Sequence, residues 1–162
     1  MADLKNYKGD IIGIIPILRK SEYWSGENDK YGRPKPNWRL LLDADNNGFD
    51  KKHLEPNETY RMKVILPKHT RLIRYGSEIG SYTAPAGTLY EELSLPYEKE
   101  SVFYHEYEVI ADSITVTSFV KKCEVERGKA APGFDYPGGG VQYFHPFNMI
   151  KSVNLKLLKE IL

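Results

Sequence analysis

The sequence predicts a single-domain α+β protein that is rich in β-structure and built around a central sheet. Its 162 residues are enough for one domain. Hydrophobic residues make up 41% and charged residues 28%, as in ordinary globular proteins. The β-branched and aromatic runs are short and are separated by turn-forming residues, which is typical of strands. Helical periodicity is found only near the C-terminus.

Seven apolar runs are predicted to form strands, with turns rich in asparagine, proline and glycine between them. They lie at 11–18, 38–42, 60–66, 70–75, 103–111, 113–120 and 141–144. The first run should be buried and bent at Pro16, and it is too short to span a bilayer. Residues 20–37 should form an irregular segment that Trp24, Tyr31 and Trp38 fix to the body.

The C-terminal segment, residues 148–162, is compatible with two structures. Ile150, Val153 and Leu157 recur at helical spacing. Between Val153 and Leu157, however, apolar and polar residues alternate as they do in a strand. The sequence therefore leaves helix and strand open here.

Charge, cysteine and histidine content exclude several classes of function. A net charge of +1 gives no electrostatic basis for binding nucleic acid or a membrane. The single cysteine, Cys123, excludes an intramolecular disulfide and a zinc-finger site. The four histidines lack the paired spacing of a zinc site. No signal peptide is expected, because Asp3 and Asp10 interrupt the basic segment before the first apolar run.

The segment from Asp43 to Gly48 resembles the first half of a calcium loop. Position twelve of such a loop requires a bidentate glutamate, and Leu54 stands there. An asparagine-rich turn is therefore favoured, and no metal is expected.

The most informative motif is Pro137-Gly138-Gly139-Gly140-Val141-Gln142. Ordering three glycines costs much backbone entropy, which suggests that the chain takes positive φ there or passes very close to another group. Gln142 follows at once with two amide donors and one acceptor oxygen. A surface turn before a strand is the simple interpretation, and a loop beside a ligand is the functional one.

Several motifs, taken in order, resemble the tuberculosis necrotizing toxin (TNT) domain family, a group of NAD⁺ glycohydrolases. They are Asn46-Asn47-Gly48-Phe49, Arg74-Tyr75-Gly76, Gly80-Ser81-Tyr82, Ala84-Pro85-Ala86-Gly87-Thr88, Leu95-Pro96, Tyr104-His105-Glu106-Tyr107-Glu108-Val109 and Pro137 to Tyr143. The resemblance runs from about residue 45 to about 150. We therefore divide the chain into an N-terminal extension packed on the body, residues 1–44, and a TNT-like domain, residues 45–162.

The resemblance implies a fold related to ADP-ribosyltransferases and a set of functional residues. Gln142 is implied to be central to catalysis, Arg74 and Tyr82 to hold NAD⁺, and His105 to complete the catalytic set. The implied substrate-binding set is Arg74, Tyr75, Tyr82, Phe134, Gly139, Gly140 and Tyr143. NAD⁺ is then the substrate, and no cofactor is expected.

The chain departs from the family pattern at three places. Leu93 begins the segment where members commonly carry an arginine before Ala-Leu-Pro-Pro. Ile73 stands where an aspartate is common, and Gly133 stands where a tryptophan is common. The residues considered as replacements for the missing positive charge are Lys99, Lys121 and Arg127.

The implied residues suit cleavage of the nicotinamide–ribose bond. Nicotinamide leaves as a neutral molecule, so the step needs no general acid, and its oxocarbenium-like transition state resembles that of glycoside cleavage. Orientation in a dry site is the main requirement. Arg74 would clamp the pyrophosphate, Tyr82 would stack on a ring, and Gln142 would bind a ribose hydroxyl or the carboxamide.

The predicted function is that of an NAD⁺ glycohydrolase, a toxin or effector domain that yields nicotinamide and ADP-ribose, with NADP⁺ as a second substrate to test. The alternatives are a non-catalytic module that binds nucleotide or ADP-ribose, and an ADP-ribosyl cyclase or transferase using the same pocket. The resemblance also implies a cognate immunity protein. It implies either export by a specialised route within a larger toxin that acts in the target-cell cytosol, or a cytoplasmic location.

Overall fold

The computed structural model describes residues 3–112 and 122–161, which form a sheet-dominated structure with one short α-helix. The strands are β1 (Trp24–Asn28), β2 (Pro34–Pro36), β3 (Met62–Leu66), β4 (Arg71–Tyr75), β5 (Tyr82–Pro85), β6 (Tyr104–Val109), β7 (Cys123–Lys129), β8 (Val141–Phe144) and β9 (Leu158–Glu160). Helix α1 spans Met149–Asn154. Single 3₁₀ turns lie at Ser21–Tyr23, Trp38–Leu40, Ala44–Asn46, Tyr90–Leu93 and Lys99–Ser101. The predicted β-rich α+β class with a central sheet is confirmed.

Seven strands form one antiparallel sheet in the order β3-β7-β8-β5-β4-β6-β9, and β1 and β2 form a separate hairpin. The main core lies on one face of the large sheet. Leu72, Tyr107, Val125 and Met149 are each at most 2% exposed there. Helix α1 closes this face, and the side chain of Asn148 accepts the amide of Lys151 at its N-terminus.

Four predicted strands are confirmed to within a few residues at each end: 60–66 as β3, 70–75 as β4, 103–111 as β6 and 141–144 as β8. The predicted strand at 113–120 lies outside the described residues. Strand β7 was not predicted, because four of its seven residues are charged. Its apolar Cys123 and Val125 face the core, while Glu124 and Glu126 alternate with them on the other face.

The prediction of a buried strand at 11–18 was wrong. Ile11 is 78% exposed, and the segment makes only isolated bridges, at Ile11 and Leu18. Pro16 has no amide hydrogen to donate to a ladder. The amide of Ile17 bonds instead to the hydroxyl of Ser101.

The predicted strand at 38–42 was also wrong. A 3₁₀ turn, Trp38–Leu40, begins there because the side chain of Asn37 accepts the amide of Arg39. At the C-terminus the helical alternative was right for helix α1. The alternating residues 153–157 are the end of this helix and a turn, and strand β9 begins only after them.

Residues 20–37 contain the β1–β2 hairpin rather than irregular structure, and Tyr23 is their main anchor. Tyr23 is 2% exposed and donates its hydroxyl to the carbonyl of Phe134 and to Asp135. Trp24 and Tyr31 were wrongly expected as anchors, because their contacts lie within the hairpin itself. Trp24 Nε1 donates to the Glu27 carbonyl, and Tyr31 lies beside Lys30 and Arg33. Trp38 is half-exposed and packs edge-on against Phe134 at 5.6 Å between ring centroids.

The glycine run behaves as its composition predicts. Gly138 and Gly139 have φ of 65° and 88°. A Cβ atom on Gly138 would lie 2.6 Å from the carbonyl oxygens of Ala130 and Ala131. Gly140 packs as closely against Glu92. The run therefore passes close to Ala130 and Ala131 at its start and close to Thr88 and Glu92 at its end, before entering β8.

Within residues 3–112 and 122–161, no helix reaches the length and apolar character needed to cross a membrane.

Candidate active site

A cleft of about 780 Å³ opens where β4, β5 and β8 meet the loop at 44–48 and the N-terminal hairpin. Four of the residues predicted as functional line it: Arg74, Tyr75, Tyr82 and Gln142. This volume is in the range of sites that bury a small organic ligand.

Gln142 and Tyr82 meet at a single backbone carbonyl, that of Asn47. The Tyr82 hydroxyl donates to this oxygen at 3.3 Å, and Gln142 Nε2 lies 3.5 Å from it. Both side chains are half-buried. The Gln142 contact is long and uses little of the hydrogen-bonding capacity of the amide. Gln142 lines the cleft.

The loop carrying Asn47 is held beside Gln142 by Phe49. Phe49 is fully buried and packs where a Cβ atom on Gly128 would stand, 2.3 Å from the ring. Gly128 is the register partner of Gln142 across β7 and β8. A glycine at this position thus brings the loop to the catalytic glutamine candidate.

The same loop is fixed from its other side by Arg61 and by its own turn. Arg61 Nη1 donates to Asn47 Oδ1 at 3.0 Å, and Arg61 is ion-paired with Glu126. Asp43 accepts the amide of Gly48 on its carbonyl and that of Lys51 on its carboxylate. The segment is a hydrogen-bonded turn, and among the described residues no cluster of three potential metal ligands occurs.

Arg74 is turned toward the backbone of the loop that follows it. Its Nε donates to the Ser77 carbonyl at 2.7 Å, and its Nη1 donates to the Tyr82 carbonyl at 2.9 Å. Gly80 is required here, because a Cβ atom would lie 1.7 Å from Nη2. Burial lowers the pKa of the Arg74 guanidinium. Arg74 therefore shapes the strand end that presents Tyr82.

His105 lies outside the cleft, buried between two carboxylates. Its Nδ1 is 2.6 Å from Glu160 Oε1, and its Nε2 is 2.7 Å from Asp3 Oδ1. Burial lowers the pKa of His105, and the bonds to Asp3 and Glu160 raise it. The bonds together outweigh burial, so the pKa of His105 lies above the usual value of a histidine. Asp3 also binds Ser77 and Glu78. His105 thus ties the N-terminus to the loop that Arg74 shapes.

The other predicted substrate-binding residues are divided between the cleft and its supports. Tyr75 lines the cleft and packs against Tyr90. Phe134 is buried behind Trp38, and Tyr143 is buried beneath the sheet, because it alternates with Gln142. Gly139 and Gly140 support β8 rather than line the cleft.

Sequence reasoning missed one wall of the cleft, which the N-terminal region supplies. Ten residues between 14 and 44 line it, including the cationic Arg33 and Lys35 and the aromatic Trp38. The available signal was a pair of basic residues alternating with prolines in an otherwise polar turn. No recognised motif marked that segment.

The sequence profile of the tuberculosis necrotizing toxin family matches residues 65–161. The chain belongs to this family. The match covers more than half of the chain and contains the strand end at Arg74, the strand of His105 and the closing motif with Gln142. The resemblance inferred from the motifs is thereby confirmed.

Two relatives extend the comparison. Over 105 residues the chain is 32% identical to the conidial surface nicotinamide adenine dinucleotide glycohydrolase nadA of Aspergillus fumigatus, covering 60% of this chain and 41% of that protein. The chain thus spans less than half the length of this curated relative. The structure of tuberculosis necrotizing toxin complexed with its immunity factor IFT matches with a TM-score of 0.57 at 18% identity. That match covers 97% of this chain and 75% of the toxin chain, and it establishes a shared fold.

Proposed function

We propose that this chain is an NAD⁺ glycohydrolase domain, which cleaves NAD⁺ to nicotinamide and ADP-ribose. The observation that carries the proposal is the meeting of Gln142 and Tyr82 at the Asn47 carbonyl within the 780 Å³ cleft. Family membership and the similarity to a named NAD glycohydrolase support it.

The reaction needs little from acid–base groups. The bond between nicotinamide and ribose C1′ breaks, and its electron pair leaves with neutral nicotinamide. A water oxygen bonds to C1′, and the surplus proton passes to solvent. The protein must hold the ribose while positive charge develops on it.

Gln142 and Tyr82 are assigned the contacts with the reacting half of the substrate. The Gln142 amide would bind a ribose hydroxyl or the carboxamide, and the Tyr82 ring would pack on a flat face of the substrate. Arg74 and His105 are assigned positioning roles. The bidentate pyrophosphate clamp expected of Arg74 does not suit a guanidinium that already donates to two backbone carbonyls.

The test compares nicotinamide release by the wild-type chain, Gln142→Ala and Asn28→Ala, with products separated by chromatography. Asn28 is an exposed residue outside the cleft, so its variant is the control. We expect Gln142→Ala to lower the rate by about 100-fold or more, as loss of one transition-state contact does, while the melting temperature stays unchanged.

Other outcomes would redirect or overturn the proposal. Cyclic ADP-ribose as the main product would identify a cyclase, and transfer to protein would identify a transferase. No nicotinamide at micromolar enzyme would overturn the catalytic proposal. In that case a binding module would remain, and Leu93, in place of the family arginine, is the observation that favours it.

Four finer features are proposed on the family relation alone. They are activity on NADP⁺, kinship with the ADP-ribosyltransferase fold, delivery within a larger toxin into a target cell, and neutralisation by a cognate immunity protein. The structure of the toxin that shares this fold is that of its complex with an immunity factor. A protein that covered the cleft of this chain would block its substrate.

A further inference from the structure

The cleft carries a net positive charge. Its charged lining residues, within the part of the chain that the structure describes, are Asp29, Arg33, Lys35 and Arg74. Three cations against one carboxylate leave a surplus of two positive charges. A dinucleotide pyrophosphate carries two negative charges, so the cleft and this group are complementary in charge.

The residues expected to supply this charge do not reach the cleft. Leu93 replaces the family arginine and lines the cleft with an apolar side chain. Lys99 lies over the ring of Tyr7 at 4.1 Å, and Arg127 is exposed on β7, away from the cleft. Lys121 is outside the described residues. Arg74 Nε and Nη1 already donate to backbone carbonyls. The other cations that line the cleft are Arg33 and Lys35.

Arg33 is held ready to bind an anion. Asp29 Oδ1 accepts the amides of Tyr31 and Arg33, and Asp29 Oδ2 accepts Arg33 Nε at 2.6 Å. The turn between β1 and β2 thus fixes one edge of the guanidinium. Among residues 3–112 and 122–161, no hydrogen-bond partner is found for either terminal nitrogen of Arg33. These nitrogens form the edge that binds phosphate oxygens in pairs.

The position of Arg33 also fits the missing arginine. Tyr97 belongs to the segment that begins at Leu93 and lines the same cleft. Burial raises the pKa of Tyr97, and the charge of nearby Arg33 opposes that rise. Arg33 and the segment from which the family arginine is absent thus line the same cleft.

We propose that Arg33, assisted by Lys35, binds the pyrophosphate of the dinucleotide substrate. The N-terminal hairpin then contributes substrate-binding residues to the active site. This inference rests on the proposed glycohydrolase function. Both residues precede the family-matched segment at 65–161, so this contact is a feature of this chain's own N-terminal region.

The test measures kcat and KM for nicotinamide release by Arg33→Gln and Lys35→Gln. The control is Lys30→Gln, which removes an exposed cation from the same hairpin but outside the cleft. We expect Arg33→Gln to raise KM by about 10- to 100-fold with little change in kcat, as loss of a charged hydrogen bond does. Lys35→Gln should raise KM less, and Lys30→Gln should not change it. An unchanged KM in Arg33→Gln overturns the proposal.

A second variant separates binding from hairpin stability. Asp29→Asn keeps an acceptor for the turn amides but loses the carboxylate oxygen that holds Arg33 Nε. If Arg33 binds the pyrophosphate, Asp29→Asn raises KM less than Arg33→Gln does, because the guanidinium charge stays at the cleft. If the Asp29–Arg33 pair only stabilises the hairpin, both variants raise KM equally, which contradicts the proposal.

Binding of ADP-ribose, measured by calorimetry, separates this inference from the proposed function. Arg33→Gln should weaken that binding by the same factor as it raises KM, and nicotinamide binding should not change. A wild-type chain that binds ADP-ribose through Arg33 but releases no nicotinamide would refute the catalytic function alone. A chain that releases nicotinamide without any dependence on Arg33 would refute only the present inference.

Discussion

At the scale of single residues, His105 shows how burial and charge oppose each other. It is 3% exposed, yet Asp3 and Glu160 hold its pKa above the usual value of a histidine. The folded state therefore keeps a proton that the unfolded chain releases above about pH 6.5. The stability that His105 contributes is complete below that pH and is lost as pH rises through the folded pKa.

We predict that His105→Gln lowers the melting temperature most at mildly acidic pH. The difference in melting temperature between wild type and variant should narrow as pH rises above about 6.5 and through the raised folded-state pKa, because the wild type then loses its charged pairs. Thermal unfolding at several pH values measures it. His53→Gln, at a 63% exposed ring, is the control. A gap that widens with pH would contradict the assignment of a protonated His105.

At the scale of an element, the glycine run before β8 shows two separate reasons for a glycine: a positive φ angle and a lack of space for a Cβ atom. Gly138 has positive φ and no room for a Cβ atom, whereas Gly139 has positive φ and open space around it. Gly13 has neither constraint. The three positions thus differ in backbone strain and in steric fit.

We predict that alanine at these three positions destabilises the protein in the order 138, 139, 13. Gly139→Ala should cost about 1–2 kcal/mol for left-handed backbone, and Gly138→Ala about 1–3 kcal/mol more for the overlap with the carbonyl oxygens of Ala130 and Ala131. Gly13→Ala should be nearly neutral. Urea unfolding measures the differences. Equal losses of unfolding free energy in Gly138→Ala and Gly139→Ala would contradict this prediction. They would show that the backbone moves to accommodate the new Cβ atom beside the carbonyl oxygens of Ala130 and Ala131 without a loss of stability.

At the scale of the whole molecule, the N-terminal region is part of the folded body. Tyr23 is buried against Phe134, Asn6 donates to the Glu100 carbonyl, and Asp3 binds His105. These contacts join residues more than 90 positions apart. The division of the chain into residues 1–44 and 45–162 therefore stays a prediction that rests on the family resemblance. The contacts above join residues on the two sides of that boundary.

We predict that Tyr23→Ala destabilises the protein by about 3–5 kcal/mol, as truncation of a buried aromatic does. Tyr31→Ala, at a 55% exposed ring, should change stability by less than about 0.5 kcal/mol. Chemical unfolding measures both, and a single transition is expected for each. A separate early transition in Tyr23→Ala would show that the N-terminal region folds independently.

The sequence alone was enough to predict the class, four strands, the family and the motif that ends in Gln142. The class, the strands and the glycine motif depend on local features: alternation of apolar residues, turn chemistry and the entropic cost of glycine. The family was inferred from the resemblance of several motifs in their order along the chain. The placement of Tyr75, Arg74, Tyr82 and Gln142 at one cleft agrees with the expected site, although their catalytic roles stay predictions.

Only the tertiary structure decided which side chains face the cleft and what they contact there. From the sequence, Arg74 was expected to clamp the pyrophosphate, but its Nε and Nη1 donate to the carbonyls of Ser77 and Tyr82. From the sequence, Arg33 is one residue of a polar turn. In the structure the hairpin places it in the same cleft as Gln142, although the two residues are more than 100 positions apart in the chain. Such contacts form between segments far apart in the chain, and no local pattern records the distance between them.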